Sequence, residues 1–133
     1  MLVKDLMSTS VISVNPDNTY DEIVFLMQCE DIGIVPVCDV QNHLLGVITD
    51  RDLLLRRNSG DIACDFMTPS PVTVNADDDI HQAALKFSQY AVRRLPVLDN
   101  GHLTGILSFK DLAKKKVFAA EIGHIIYNIC NHQ

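Results

Sequence analysis

The 133-residue chain is 47% hydrophobic and 21% charged, a composition that excludes a disordered segment and fits one compact domain or two small repeats sharing a core. Its net charge of −6 is spread along the chain, which argues against a cationic face for a nucleic-acid backbone. No apolar run reaches the ~18 residues that span a bilayer, and Met1-Leu2-Val3-Lys4-Asp5 carries an acid and no apolar h-region, so the chain reads as cytoplasmic, without a signal peptide.

After Asp5-Leu6-Met7, the residues Val11, Ile12 and Val14 predict a short β-branched strand. Tyr20, Ile23, Val24 and Met27 recur at i, i+3, i+4, i+7, one face of an amphipathic helix, with Asn18 or Thr19 as its N-cap. A second strand follows over Ile34 to Cys38, then a polar loop through Val40-Gln41-Asn42. A third strand over Leu44 to Ile48 and a helix from near Asp50 close the unit.

The order then returns. Displaced by 60 positions, Asp5-Leu6-Met7 falls on Asp65-Phe66-Met67, Ser13-Val14-Asn15 on Thr73-Val74-Asn75 and Pro36-Val37 on Pro96-Val97. Displaced by 59, His43-Leu44, Gly46, Asp52 and Leu53 fall on His102-Leu103, Gly105, Asp111 and Leu112. Val72, Thr73 and Val74 repeat the first strand, and Ile80, Ala83, Ala84 and Phe87 repeat the helix, capped by Asp78 or Asp79. Strands over Leu95 to Leu98 and Leu103 to Leu107 are joined by the tight hairpin turn Asp99-Asn100-Gly101, with a helix from near Phe109. Two copies of about 55 residues are present, residues 1–59 and 60–114, with a helical extension over 115–133.

The expected fold is α/β (α+β), two βαββα repeats. A sheet with helices on one side leaves its other face bare, so the two sheets are expected to pack on each other about a pseudo-twofold axis, leaving two clefts. In the extension Ile122, Ile125, Ile126 and Ile129 form one apolar stripe at helical spacing. It packs back on the module or meets the same stripe of a second chain, and the homodimer is the favoured of the two. Lys114-Lys115-Lys116 reads as a solvated helix face.

Cys29, Cys38, Cys64 and Cys130 are far apart, without a CxxC, and read as reduced thiols. His43, His81, His102, His124 and His132 lack metal-ligand spacing, and Cys130 with His132 is too isolated for a zinc site. Each third strand runs into a polar signature, Gly46-Val47-Ile48-Thr49-Asp50-Arg51-Asp52 and Gly105-Ile106-Leu107-Ser108-Phe109-Lys110-Asp111. A hydroxyl and free backbone N–H groups at a helix start favour phosphate, and an acceptor-only carboxylate one turn on can take both hydroxyls of a ribose. Thr49 to Asp52 and Ser108 to Asp111 equally have the form of a capping box. The two readings are compatible.

These features together resemble a tandem CBS-domain module, the paired regulatory unit named after cystathionine β-synthase. The resemblance runs over about Val3 to Lys114 and rests on Asp5-Leu6-Met7 and Asp65-Phe66-Met67-Thr68, the Pro-Val-x-Asp steps at Pro36 and Pro96, and the two Gly-x-x-(Thr/Ser)-x-x-Asp endings. It implies that each cleft binds an adenosine-type ligand such as AMP, ADP, ATP or S-adenosylmethionine, as a regulatory ligand with no cofactor required. Asp52 and Asp111 would hold ribose hydroxyls, Thr49 and Ser108 would face phosphates, and Val47 and Ile106 would line the strand ends. The base would lie on Ile12, Ile32, Gly33 and Ile34 in the Asp111 cleft, and on Val72, Val92 and Arg93 in the Asp52 cleft.

Val92-Arg93-Arg94-Leu95-Pro96-Val97 also resembles a basic segment in the gamma subunit of AMP-activated protein kinase. That likeness makes Arg93 and Arg94 phosphate candidates for the Asp111 cleft, through charge-assisted contacts. The first copy has Gly33 and Ile34 there, so the Asp111 cleft is expected to bind anionic nucleotides more tightly.

The expected function is an adenine-nucleotide sensor acting on an effector protein or through dimer rearrangement. The alternative is a ligand-free scaffold that only dimerises through the isoleucine stripe. No Ser-His-Asp or Cys-His order, paired acid-base carboxylates or Walker loop is present, and 133 residues cannot hold the ~250-residue barrel of the IMP dehydrogenases in which related modules are inserted. The chain therefore reads as no enzyme, with no catalytic or metal-binding residues assigned.

Overall fold

In the computed structural model, a 3-10 turn (Val3–Asp5) leads to α1 (Tyr20–Glu30), β1 (Ile34–Cys38), β2 (Leu44–Thr49), α2 (Asp50–Leu55), α3 (Ala63–Phe66) and β3 (Thr68–Pro69). There follow β4 (Val74–Asn75), α4 (Ile80–Tyr90), β5 (Arg94–Asp99), β6 (His102–Ser108), α5 (Phe109–Lys114) and α6 (Ala119–Asn131). The structure describes residues 1–55, 60–114 and 119–131. Lys115, Lys116 and His132 lie outside the described residues, as do the side chains of Ile122, His124 and Ile125.

The long helices start at their sequence-encoded caps. Thr19 Oγ1 accepts the Glu22 amide at 3.2 Å, and Glu22 Oε1 accepts the Thr19 amide at 2.8 Å, a closed capping box. Asp79 does the same for α4, accepting the His81 amide at 2.9 Å while Gln82 Oε1 accepts the Asp79 amide at 3.0 Å. Both helices stop on a left-handed residue, Asp31 (φ 51°) and Ala91 (φ 53°), which turns the chain into the next strand. All four periodic positions of α4 are buried; in α1, Ile23 and Met27 are buried and Tyr20 and Val24 only half so.

Two three-stranded sheets form, ordered β1-β2-β3 and β4-β5-β6. β1 and β2 are antiparallel, with Ile34 opposite Thr49 and Pro36 opposite Val47, and β3 joins the far side of β2 with Val47 opposite Thr68. β4 runs parallel to β5, with Val74 opposite Val97. Asn100 (φ 51°) and Gly101 (φ 82°) supply the two positive φ values of the hairpin turn between β5 and β6.

The expected first strands are shorter than their apolar runs. Val14 alone bridges β1, donating to Pro36 O and accepting from Cys38 N, both at 2.9 Å. Its counterpart grows to Val74–Asn75 because the Ala76 amide donates to Leu98 O at 2.9 Å. Pro16 stands at the position equivalent to Ala76 and has no N–H to give.

The chain resolves into two compact units, 12–71 with 101–103, and 1–11 with 72–100 and 104–133. Each unit thus includes the leading segment of the other sequence copy. Ser8 bridges Ile106 on the outer side of β6, as Thr68–Pro69 does on β2. Glycine permits both approaches: a Cβ on Gly105 would lie 2.5 Å from Met7 Sδ and 2.9 Å from Ser8 O. On Gly46 a Cβ would lie 2.7 Å from both Met67 Sδ and Thr68 O. The paired Asp5-Leu6-Met7 and Asp65-Phe66-Met67 steps close one-turn helices, in which Asp5 and Asp65 carboxylates accept the amides of Leu2 (2.9 Å) and Ile62 (3.2 Å).

One core gathers Val14, Ile23, Val35, Val37, Ile48 and Phe66; the other gathers Val3, Ile80, Phe87, Leu95, Leu107, Leu112 and Ile129. Ile129, 7% exposed, packs α6 back on the core of its own unit. Among the described residues no helix is long and apolar enough to cross a membrane. All four cysteines are free thiols, and burial pushes the Cys38 thiol above its ordinary pKa.

Candidate functional site

At the end of β2, the Asp52 carboxylate folds back on the strand terminus. Its Oδ2 accepts the Thr49 amide at 2.9 Å and the Thr49 hydroxyl at 3.2 Å, and the Asp52 amide reaches Thr49 Oγ1 at 3.4 Å. β6 ends the same way, with the Ser108 amide donating to Asp111 Oδ2 at 2.8 Å and the Asp111 amide to Ser108 Oγ at 3.3 Å. The capping geometry is therefore formed at both ends. Both carboxylates are half-buried, so each remains open to further partners.

The clasp takes up several backbone donors at the two strand ends. Part of the backbone N–H set at these helix starts is taken: the amides of Thr49 and Ser108 go to their own aspartates. The Asp50 amide donates to Gly33 O at 3.3 Å and the Phe109 amide to Arg93 O at 3.1 Å.

The two ends differ at one point. Thr68 Oγ1 lies 3.2 Å from Asp52 Oδ1 and 3.3 Å from Oδ2. Ser8 occupies the corresponding place beside β6, and among the described residues Asp111 Oδ1 accepts no hydrogen bond.

Ile12, Ile32, Gly33, Ile34, Val47, Thr49 and Asp52 all fall in one unit; Val72, Val92, Arg93, Arg94, Ile106, Ser108 and Asp111 fall in the other. Within the first, Ile34 pairs with Thr49, and Gly33 meets the start of α2. Within the second, Arg93 meets the start of α5, and Arg94 opens β5. The pairing of Ile12, Ile32, Gly33 and Ile34 with Asp111, and of Val72 and Val92 with Asp52, joins residues of different units.

The unit that carries Ser108 also holds a cavity of about 280 Å³. Arg93, Arg94, Ser108, Phe109 and Lys110 form one part of its lining, and Ile126, Ile129 and Cys130 of α6 form the rest. Arg93, Arg94 and Lys110 are exposed, and none makes an ion pair among the described residues. Uncompensated cations converging beside a hydroxyl favour an anion. The sequence named Arg93, Arg94 and Ser108; it missed Lys110 and the α6 residues. The apolar stripe of α6 was visible, but helical spacing carries no information about which wall a helix will form.

The family model for the CBS domain matches residues 3–58 and 62–117. The CBS domain-containing protein YhcV of Bacillus subtilis is 34% identical over 136 residues, spanning 98% of this chain and 96% of that protein. The crystal structure of CBSX2, an Arabidopsis thaliana CBS-pair protein, in complex with AMP superposes with a TM-score of 0.80 at 28% identity, covering 87% of this chain and 96% of that one. The CBS domain pair of protein MJ0100, in complex with 5′-methylthioadenosine and S-adenosyl-L-methionine, gives a TM-score of 0.77 at 25% identity, covering 87% and 95%.

Proposed function

The chain belongs to the CBS-domain family, and on that premise we propose that it is a regulatory module that binds an adenosine-type ligand and acts through a partner or a rearranged dimer rather than by catalysis. Its repeats are 1–59 and 60–114, and the main site is built on Arg93, Arg94, Ile106, Ser108 and Asp111 with Ile12, Ile32, Gly33 and Ile34. A second site uses Val47, Thr49, Asp52, Val72 and Val92. The observation that carries the reading is the duplicated hydroxyl–carboxylate clasp, of which the Ser108–Asp111 copy alone leaves a carboxylate oxygen without a partner among the described residues. That oxygen and Arg93, Arg94 and Lys110 of the same unit, which make no ion pair among the described residues, suit a ribose and a phosphate. The AMP bound by CBSX2 and the adenosyl ligands bound by MJ0100 support the ligand class.

Native mass spectrometry of protein purified without added nucleotide, followed by thermal shift with AMP, ATP and S-adenosylmethionine, tests it. A ligand bound by the folded state alone raises the melting temperature with concentration. A dimerising scaffold is the second reading, favoured by Ile126 and Tyr127 of α6, 46% and 65% exposed. It expects no shift with any of the three.

A further inference from the structure

α6 is fastened close to the cavity it lines. Asn128 Nδ2 donates to the Ser88 carbonyl at 2.9 Å and to Ser88 Oγ at 2.7 Å, and Ile129 enters the core beside Phe87 and Leu112. These anchors set the rotation of the helix about its axis. Ile126, Ile129 and Cys130, at i, i+3 and i+4, line the cavity, Ile129 buried and Ile126 and Cys130 exposed, while Tyr127, also exposed, is outside the lining.

A cavity with Arg93, Arg94, Lys110 and Ser108 on one part of its lining and aliphatic groups on the rest suits an anion that carries an apolar or flat portion. Free phosphate would use only the cationic part.

We propose that α6 is a structural part of the regulatory ligand site, its Ile126 and Cys130 contacting the bound anion across from Arg93, Arg94 and Lys110. This rests on reading the Ser108 unit as the nucleotide site and extends it: occupancy holds α6 in its docked position, so the ligand state reaches the exposed face of α6 that carries Tyr127. The differential affinity of the ligand for the docked arrangement drives that coupling.

The four thiols provide the test. Cys29, Cys64 and Cys130 are exposed and Cys38 is buried, so alkylation by iodoacetamide, resolved by peptide mass spectrometry, reads Cys130 against two internal references. With AMP at about ten times its Kd, measured by calorimetry, Cys130 alkylation slows roughly tenfold, while Cys29 and Cys64 keep their rates. In Arg94→Ala the protection declines in step with the lost affinity. AMP bound with Cys130 unprotected, or with all three thiols slowed alike, overturns the role of α6 and leaves the nucleotide reading intact. If none of AMP, ATP and S-adenosylmethionine binds, pyrophosphate is the probe: protection of Cys130 then upholds the α6 wall and removes the nucleotide reading. Protection by neither overturns both.

Discussion

Thr68 Oγ1 lies 3.2 and 3.3 Å from the two carboxylate oxygens of Asp52, a claim on that carboxylate that has no counterpart at Asp111 among the described residues. A ribose at Asp52 would have to displace or share the Thr68 hydroxyl; at Asp111 it would meet an oxygen that accepts no hydrogen bond from the described residues. Asp111→Asn should therefore lower AMP affinity by about tenfold or more, since hydrogen bonds to charged groups contribute about 1.5–3 kcal/mol each. Asp52→Asn should have the smaller effect, and Thr68→Val should narrow the difference between the two sites. Calorimetric titration measures all three, and a larger loss in Asp52→Asn would reverse the assignment.

Arg94 opens β5 beside the cavity, exposed and without an ion-pair partner among the described residues. Removing a charge-assisted contact to phosphate costs about 1.5–3 kcal/mol, so Arg94→Ala should weaken AMP binding roughly tenfold or more. The loss should shrink as salt is added, because exposed charges are screened. Unchanged affinity in the calorimeter would remove Arg94 from the site.

Gly105→Ala puts a methyl group 2.5 Å from Met7 Sδ and 2.9 Å from Ser8 O, where the Ser8 backbone pairs with Ile106. The thioether can move, but the carbonyl belongs to a formed bridge. Overpacking of this kind costs about 1–3 kcal/mol, which lowers the melting temperature by several degrees for a chain this size. Gly46→Ala should behave alike against Thr68 O at 2.7 Å. Thermal denaturation followed by circular dichroism measures both, and an unchanged melting temperature would show that the flanking segments are not held as described.

The acid limb of stability should be set by caps and turns. The Thr19 amide holds the Glu22 carboxyl below its ordinary value of 4.5, and the His43 and His81 amides hold Asp39 and Asp79 below 3.8. A lowered folded pKa gives stability that is complete above the unfolded value and is lost as pH falls through the folded one. Urea midpoints should thus hold near about pH 6 and decline towards about pH 3. Glu22→Gln should flatten part of that decline, and a curve identical to the parent would discount the Glu22 cap. Lys4, raised above 10.5 by its hydrogen bond to Asp77, gives the opposite dependence, lost only as pH rises through its folded value.

The helices α1 and α4, the strands β1, β2, β5 and β6, the positive-φ turn at Asn100-Gly101 and the starts of α2 and α5 were legible because each is encoded within one or two turns of chain. The hydroxyl–carboxylate clasp was legible as a capping box for the same reason, its partners being three residues apart. What misled was the run Val11-Ile12-Ser13-Val14. Its β-branched residues suggest a strand, yet strand length was decided by whether residue 16 or 76 could donate to the neighbouring strand. Pro16 cannot, and Ala76 does.

The duplicated CBS-domain pattern, the starts of the long helices, and the hydroxyl and carboxylate that close each strand end can all be read from short stretches of residues. It took the folded chain to reveal that β2 and β6 take their outer neighbours from the leading segment of the other copy, that Thr68 occupies Asp52 while Asp111 Oδ1 goes without a partner among the described residues, and that α6 lines the cavity of Arg93 and Arg94. Caps, turns and periodicity act over a few residues and leave a mark in the order of the letters. The approach of Ser8 to Ile106, or of Cys130 to Arg94, depends on packing between residues far apart in the chain, and no spacing rule encodes it.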